Sequence, residues 1–102
     1  MRSTLLPLLS LLTLAPFVAA DLHHDIICAT KVGGATVYHA DATNKACAAY
    51  RARNTGSQQW DTCPDCTVVL VGNLNICHSE GKHIGGDEMQ YYCKQNGAMS
   101  VA

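Results

Sequence analysis

The chain has 102 residues, seven Lys or Arg against eight Asp or Glu, a formal net charge of −1 and a hydrophobic content of 48 %. That length holds one small domain, and a charge balance so close to neutral supplies no basic patch for a nucleic-acid backbone or an anionic membrane surface, so no nucleic acid is expected as a partner. Six cysteines in so short a chain argue against a reduced cytosolic protein.

Met1 and Arg2 give a positive start, Leu5 to Leu14 an apolar run, and Val18-Ala19-Ala20 the small residues that a signal peptidase inspects. These are the parts of a secretory signal peptide. Pro7, Ser10, Thr13 and Pro16 interrupt the run, which falls short of the roughly 20 apolar residues that cross a bilayer. No other stretch is long enough, so stable membrane insertion is not expected. Residues 1–20 are read as the leader and residues 21–102 as a single secreted, disulfide-stabilised domain. Loss of Arg2 with the leader takes the net charge to about −2.

Cleavage after Ala20 leaves Asp21-Leu22-His23 with a free amino group. The α-amine, two deprotonated backbone amides and the His23 imidazole can then surround Cu(II) or Ni(II) in a square plane, the geometry those ions favour with nitrogen ligands. A solvated chain end is the plainer reading of the same residues. No other cofactor is expected.

Between Cys28 and Tyr38, "CATKV" and "ATVYHA" are β-friendly and separated by Gly33-Gly34. Either they form a hairpin on a type I′ turn or the glycines bulge one longer strand. "DATNKACAAYRARN" follows, with Ala46, Ala49, Tyr50 and Arg53 at helical intervals and Cys47 on the same side. It predicts a helix from about Ala42 to Arg53, capped by Asp41 or Thr43 and stopped by Gly56. Thr55 to Cys66 is a loop ending in a constrained turn at Pro64-Asp65. "TVVLVG" is the strongest strand signal, and its continuous apolar run predicts a central strand covered on at least one face. After Gly72-Asn73, "LNICHS" alternates as a second strand, antiparallel to the first. "EGKHIGG" is too glycine-rich for a regular element and reads as a connection. "DEMQYYCKQNG" has Asp87 and Glu88 at its start, Met89, Tyr92, Cys93 and Asn96 at helical spacing, Lys94 late and Gly97 as a stop, which makes it the clearest helix. "AMSVA" closes the domain as an edge strand.

The order strand, helix, strand, strand, helix, strand predicts an α+β fold: a small disulfide-stapled antiparallel sheet with two helices on one face, in ferredoxin-like βαββαβ order. A small β-rich disulfide domain that begins with an independent hairpin is the alternative. Cys28, Cys47, Cys63, Cys66, Cys77 and Cys93 read as three disulfides, and the sequence leaves their pairing open. "CPDC" has the spacing of a redox dithiol, but the strand follows the second cysteine instead of preceding the first, so a structural bond is expected. Zinc held by four thiolates needs them reduced in an oxidising compartment. His39, His78 and Glu80 with Tyr38 or Arg51 hold the ingredients of a small ribonuclease, though in no diagnostic setting. No catalytic residue is assigned.

The leader, the six cysteines, the helices carrying "KACAAYR" and "MQYYCK", the strand around Cys28 and the strand pair "TVVLVG" and "LNICHS" together resemble small cysteine-rich effectors secreted by plant-colonising fungi. The layout is similar to members with the fold of the killer toxin subunits. The resemblance implies a non-catalytic, monomeric interaction protein that binds a host or competitor component outside the producing cell or after entry into host tissue. A secreted killer or antimicrobial toxin is the alternative, with a small ribonuclease behind it. Glu80, Lys82, His83 and Asp87, on a loop held by the disulfide scaffold, are the expected contact surface.

Overall fold

The computed structural model describes residues 22–102, so the leader, its cleavage site and Asp21 lie outside the described residues. The elements in chain order are β1 (Leu22–His23), β2 (Asp25–Val32), β3 (Ala35–Tyr38), α1 (Ala40–Ala52), β4 (Thr67–Val71), β5 (Leu74–His78), β6 (Ile84–Gly85), α2 (Gly86–Gln95) and β7 (Met99–Val101). The protein is an α+β domain with two helices, an antiparallel sheet and three disulfides.

The central strand is β2. Its first two residues, Asp25 and Ile26, pair with His78 and Cys77 of β5, its middle pairs with β7, and Ala29 to Val32 pair with β3. Gly33 and Gly34 both take positive φ, 57° and 85°, between the paired residues Val32 and Ala35. The first strand is therefore a hairpin on a two-residue turn and not a bulged ribbon. "TVVLV", predicted to be central, is instead the edge strand β4, paired with β5 alone and exposed along most of its length. An unbroken apolar run carries no information on strand order, and here β2, with its alternation of buried and half-buried positions, takes the middle.

Helix α1 starts two residues earlier than the sequence predicts. Its cap is His39, whose Nδ1 accepts the Ala42 N–H at 3.0 Å, instead of Asp41 or Thr43. Thr43 is buried and committed elsewhere: its hydroxyl accepts the Cys28 N–H at 2.9 Å and donates to the His39 carbonyl at 2.8 Å. Ala42, Thr43, Ala46, Cys47 and Tyr50 form the buried stripe. Asp41 and Lys45 add an exposed i,i+4 pair. Helix α2 buries Met89 and Cys93, packs Tyr92 on the core and begins at Gly86, so the "connection" before it contains the short strand β6, which pairs with β1. A two-residue strand has no periodicity to reveal it.

Cys28 bonds to Cys93, Cys47 to Cys77 and Cys63 to Cys66. The first two tie α2 to β2 and α1 to β5. Since Cys77 lies opposite Ile26, two residues from Cys28, both cysteines point to one face and both helices cover it. The core there is Ile26, Ala42, Ala46, Tyr50, Ile84, Met89 and Ala98 with all six cysteines. The other face carries Ile27, Val69, Val71, Leu74 and Ile76, and neither helix covers it.

Candidate interaction site

Tyr50, fully buried near the end of α1, organises the loops beyond the sheet. Its hydroxyl donates to the Trp60 carbonyl and accepts the Gly85 N–H at 3.1 Å, with the His83 carbonyl 3.3 Å away. One side chain thus joins a helix to both long connections. Burial, which disfavours the phenolate, pushes its pKa up to about 12.

The first connection is shaped by its own acid. Asp61 Oδ2 accepts the Ser57 and Gln58 N–H groups at 3.0 and 2.8 Å, and its other oxygen lies 4.0 Å from the Arg53 guanidinium. Gln59 is thereby held against the second connection. Its amide nitrogen donates to the carbonyls of Gly81 and Lys82 at 2.9 and 3.2 Å, and its own carbonyl accepts from His83 Nδ1 at 2.9 Å.

"CPDC" closes a tight turn with the Cys66 N–H on the Cys63 carbonyl, 3.0 Å away, and a disulfide across it. The turn places Asp65, whose carboxylate accepts from Ser79 Oγ at 2.7 Å and from the Gly81 N–H at 2.8 Å. Partial burial raises the Asp65 pKa, but the Ser79 and Gly81 hydrogen bonds together with the nearby His83 outweigh it and hold the carboxyl below its ordinary value. Ser79 Oγ also accepts the His83 N–H at 3.0 Å. Lys82 sits at φ 58°, a left-handed conformation that an L side chain rarely takes, and this network of bonds on both flanks holds it there.

At the entrance to this loop His78 bridges two carboxylates, Nδ1 to Asp25 at 2.7 Å and Nε2 to Glu80 at 3.0 Å. Both nitrogens can donate only in the imidazolium. The bonds to Asp25 first, and to Glu80 next, raise the His78 pKa. The His24 ring lies near it, with centroids 6.4 Å apart, and donates through Nδ1 to the Ser79 carbonyl at 3.1 Å.

Of the residues expected to make contacts, Glu80, Lys82 and Asp87 are exposed, while His83 is turned inward and half-buried against Gln59. Asp87 stands on α2, on the far side of β6, where it lines an open hollow of about 440 Å³ with Arg53, Thr55, Glu88, Tyr91 and Tyr92. The ribonuclease ingredients are dispersed among other duties: His39 caps α1, the Tyr38 hydroxyl donates to the Asn75 carbonyl at 2.6 Å, and His78 is held between carboxylates. His23 lies in β1, with its backbone opposite Ile84 and Leu22 opposite Gly85. A square-planar chelate needs the amide nitrogens of Leu22 and His23, so it competes with that pairing. The sulfurs of Cys47, Cys66 and Cys77 lie within 4.8 Å of one another, yet all three are in disulfides and offer no thiolate to zinc. Asp65, Gln59 and Tyr50 were not legible as loop holders. The only signal was that Asp65 sits inside the closed turn.

No described helix is long and apolar enough to cross a membrane. The fold and the held loop define a small, cysteine-rich α+β domain stapled by three disulfides. Residues 21–101 match the family described as Biotrophy-associated secreted protein 4, and the chain belongs to that family. It is a secreted, extracellular, non-catalytic effector-type protein of a plant-colonising fungus. No curated protein and no solved structure matches the chain.

Proposed function

We propose that the protein acts as a monomer by binding a host protein through the loop between β5 and α2 and the first turn of α2, with Glu80 and Lys82 of the loop and Asp87 of the helix as contacts and His83 as an internal brace. The observation that carries this reading is the way the loop is held. A segment almost without regular structure is bonded by Asp65, Gln59 and Tyr50 from two other parts of the chain, while Glu80 and Lys82 stay exposed. Preordering of this kind removes much of the entropy cost that a flexible loop pays on association. The test is affinity capture from host-plant extract with the oxidised mature protein. A variant with Glu80→Ala, Lys82→Ala and Asp87→Ala should lose the captured protein, and unchanged capture refutes the assignment.

The same reading includes a leader ending at Ala20, with the mature chain starting at Asp21, which mass spectrometry of the secreted protein tests directly. It also includes a ferredoxin-like core made of β2, α1, β4, β5, α2 and β7, with β3 as an added hairpin strand, in the manner of the killer toxin subunits. Support comes from the antiparallel pairings β7 with β2, β2 with β5 and β5 with β4, and from both helices lying on one face.

A further inference from the structure

Gly72 (φ 62°) and Asn73 form a two-residue turn between the paired residues Val71 and Leu74. The pair that flanks such a turn exchanges both of its backbone hydrogen bonds, and the ladder then alternates. Thr67, Val69 and Val71 therefore spend their N–H and C=O groups on β5, while Val68 and Leu70 direct theirs outward. No other described strand or side chain takes them up, and Leu70 is 69 % exposed. "TVVLV" also lacks the charge, proline or bulge that ordinarily blocks an edge.

Beside this edge Asn44, Ala48 and Arg51 of α1 face Cys66, Thr67 and Val68 across a hollow of about 190 Å³. Arg51 is exposed and, among the described residues, has no carboxylate partner. Val68 lies opposite Cys77, on the helix side, so a strand added along β4 presents every second side chain to this hollow. The intervening side chains fall beside Val69 and Val71 on the uncovered apolar face.

We propose that the β4 edge takes up an extended segment of a partner protein as an additional strand, one that alternates apolar residues with a carboxylate aimed at Arg51. The backbone edge supplies affinity, and the two faces supply the pattern that is recognised. Charge complementarity favours such a segment over a second copy of this chain. A two-fold pairing of β4 with itself about Val69 sets Leu70 opposite Val68 and leaves both Arg51 guanidiniums without a counter-charge. The inference rests on the reading that the protein works by binding, and it concerns a surface distinct from the Glu80 loop.

The test pans random linear peptides displayed on phage against the oxidised protein and measures one enriched peptide by fluorescence anisotropy. Enriched sequences should alternate β-branched or aromatic residues with Asp or Glu. Leu70→Pro removes an outward donor together with the exposed leucine side chain and should weaken binding by about tenfold. Arg51→Glu, at an exposed helix position, should weaken it too and recover it for the same peptide with lysine in place of the carboxylate. On binding, amide exchange should slow at Val68 and Leu70. Enriched peptides without an acidic preference, binding unaffected by either variant, or Val68 and Leu70 amides already protected by self-association would each overturn the proposal. Those results leave the Glu80 loop reading intact, and unchanged host capture by the loop variant leaves this one intact.

Discussion

Replacing Tyr50 with phenylalanine removes one oxygen and, with it, the joint between α1 and both connections. The ring stays packed against Tyr92, 5.6 Å between centroids, so no cavity opens. What is lost is the acceptor for the buried Gly85 N–H and the donor to the Trp60 carbonyl. One ordinary hydrogen bond contributes about 1 kcal/mol, and a buried group left without a partner costs about 1 to 3 kcal/mol. Tyr50→Phe should therefore lower stability by about 2 to 3 kcal/mol, read as a shift of the urea midpoint of the oxidised protein at unchanged slope. A second readout has a definite sign. The folded pKa of about 12 lies above the unfolded 10.0, so this contribution is fully present below pH 10 and is lost as pH rises toward 12. By pH 11 the wild-type protein should have lost about 1.4 kcal/mol more than Tyr50→Phe, a difference that cancels the effect of the tyrosines common to both. Stability within about 0.5 kcal/mol of wild type at neutral pH, with parallel alkaline curves, would refute the role given to this hydroxyl.

His78 should make the β2–β5 junction firmer in mild acid. Its folded pKa is raised, so its contribution is complete below the ordinary histidine value and fades as pH climbs through the folded one, and the stabilities of His78→Gln and wild type should differ by under about 1 kcal/mol at pH 5 and draw together as pH rises through that raised value. Asp65 titrates the opposite way: its contribution is present above the ordinary carboxylate range and lost as pH falls through its lowered value, so Asp65→Asn should speed amide exchange at Gly81 at neutral pH by about fivefold, and equal exchange rates would count against the contact. Sequence separations of 65, 30 and 3 rank the disulfides. Serine replacement of the Cys28–Cys93 or Cys47–Cys77 pair should cost about 4 kcal/mol, and of Cys63–Cys66 about 2 kcal/mol, in urea unfolding.

The helices were legible because each burial stripe repeats in sequence: Ala46, Cys47 and Tyr50 in α1, Met89 and Cys93 in α2. The β4–β5 hairpin was legible from Gly72-Asn73 for the same local reason. Strand order was not, since nothing in "TVVLV" distinguishes an edge from a centre, and the pairing that decides it is made by Asp25 and Ile26 some forty residues upstream in an unremarkable stretch. Of the residues expected on the loop after β5, Glu80 and Lys82 are exposed, His83 is half-buried and Asp87 stands on α2. The braces behind them were hidden because Gln59, Asp65 and Tyr50 reach that loop across sequence distances of 22, 16 and 35 residues. His39 caps α1 although Asp41 and Thr43 are better caps by type, because the Thr43 hydroxyl is spent on Cys28.

The exposed apolar residues of β4 follow from how this domain stays folded. A chain this short buries little surface, and much of what it buries here is sulfur: all six cysteines are in the core, with few large aliphatic residues beside them. Two long cross-links pin one helix each to the sheet by restricting the unfolded chain, which reduces the stability that apolar burial must supply. Leu70, Val71 and Leu74 are consequently not needed inside. They remain exposed at one sheet edge and its turn, Val71 and Leu74 on the uncovered face and Leu70 on the helix side, as apolar surface of the kind that marks contact sites on small proteins. Opposite consequences therefore attach to two kinds of change: removing a long disulfide should lower stability without altering the β4 edge, whereas Leu70→Pro or Arg51→Glu should leave stability nearly unchanged and remove what the edge can recognise.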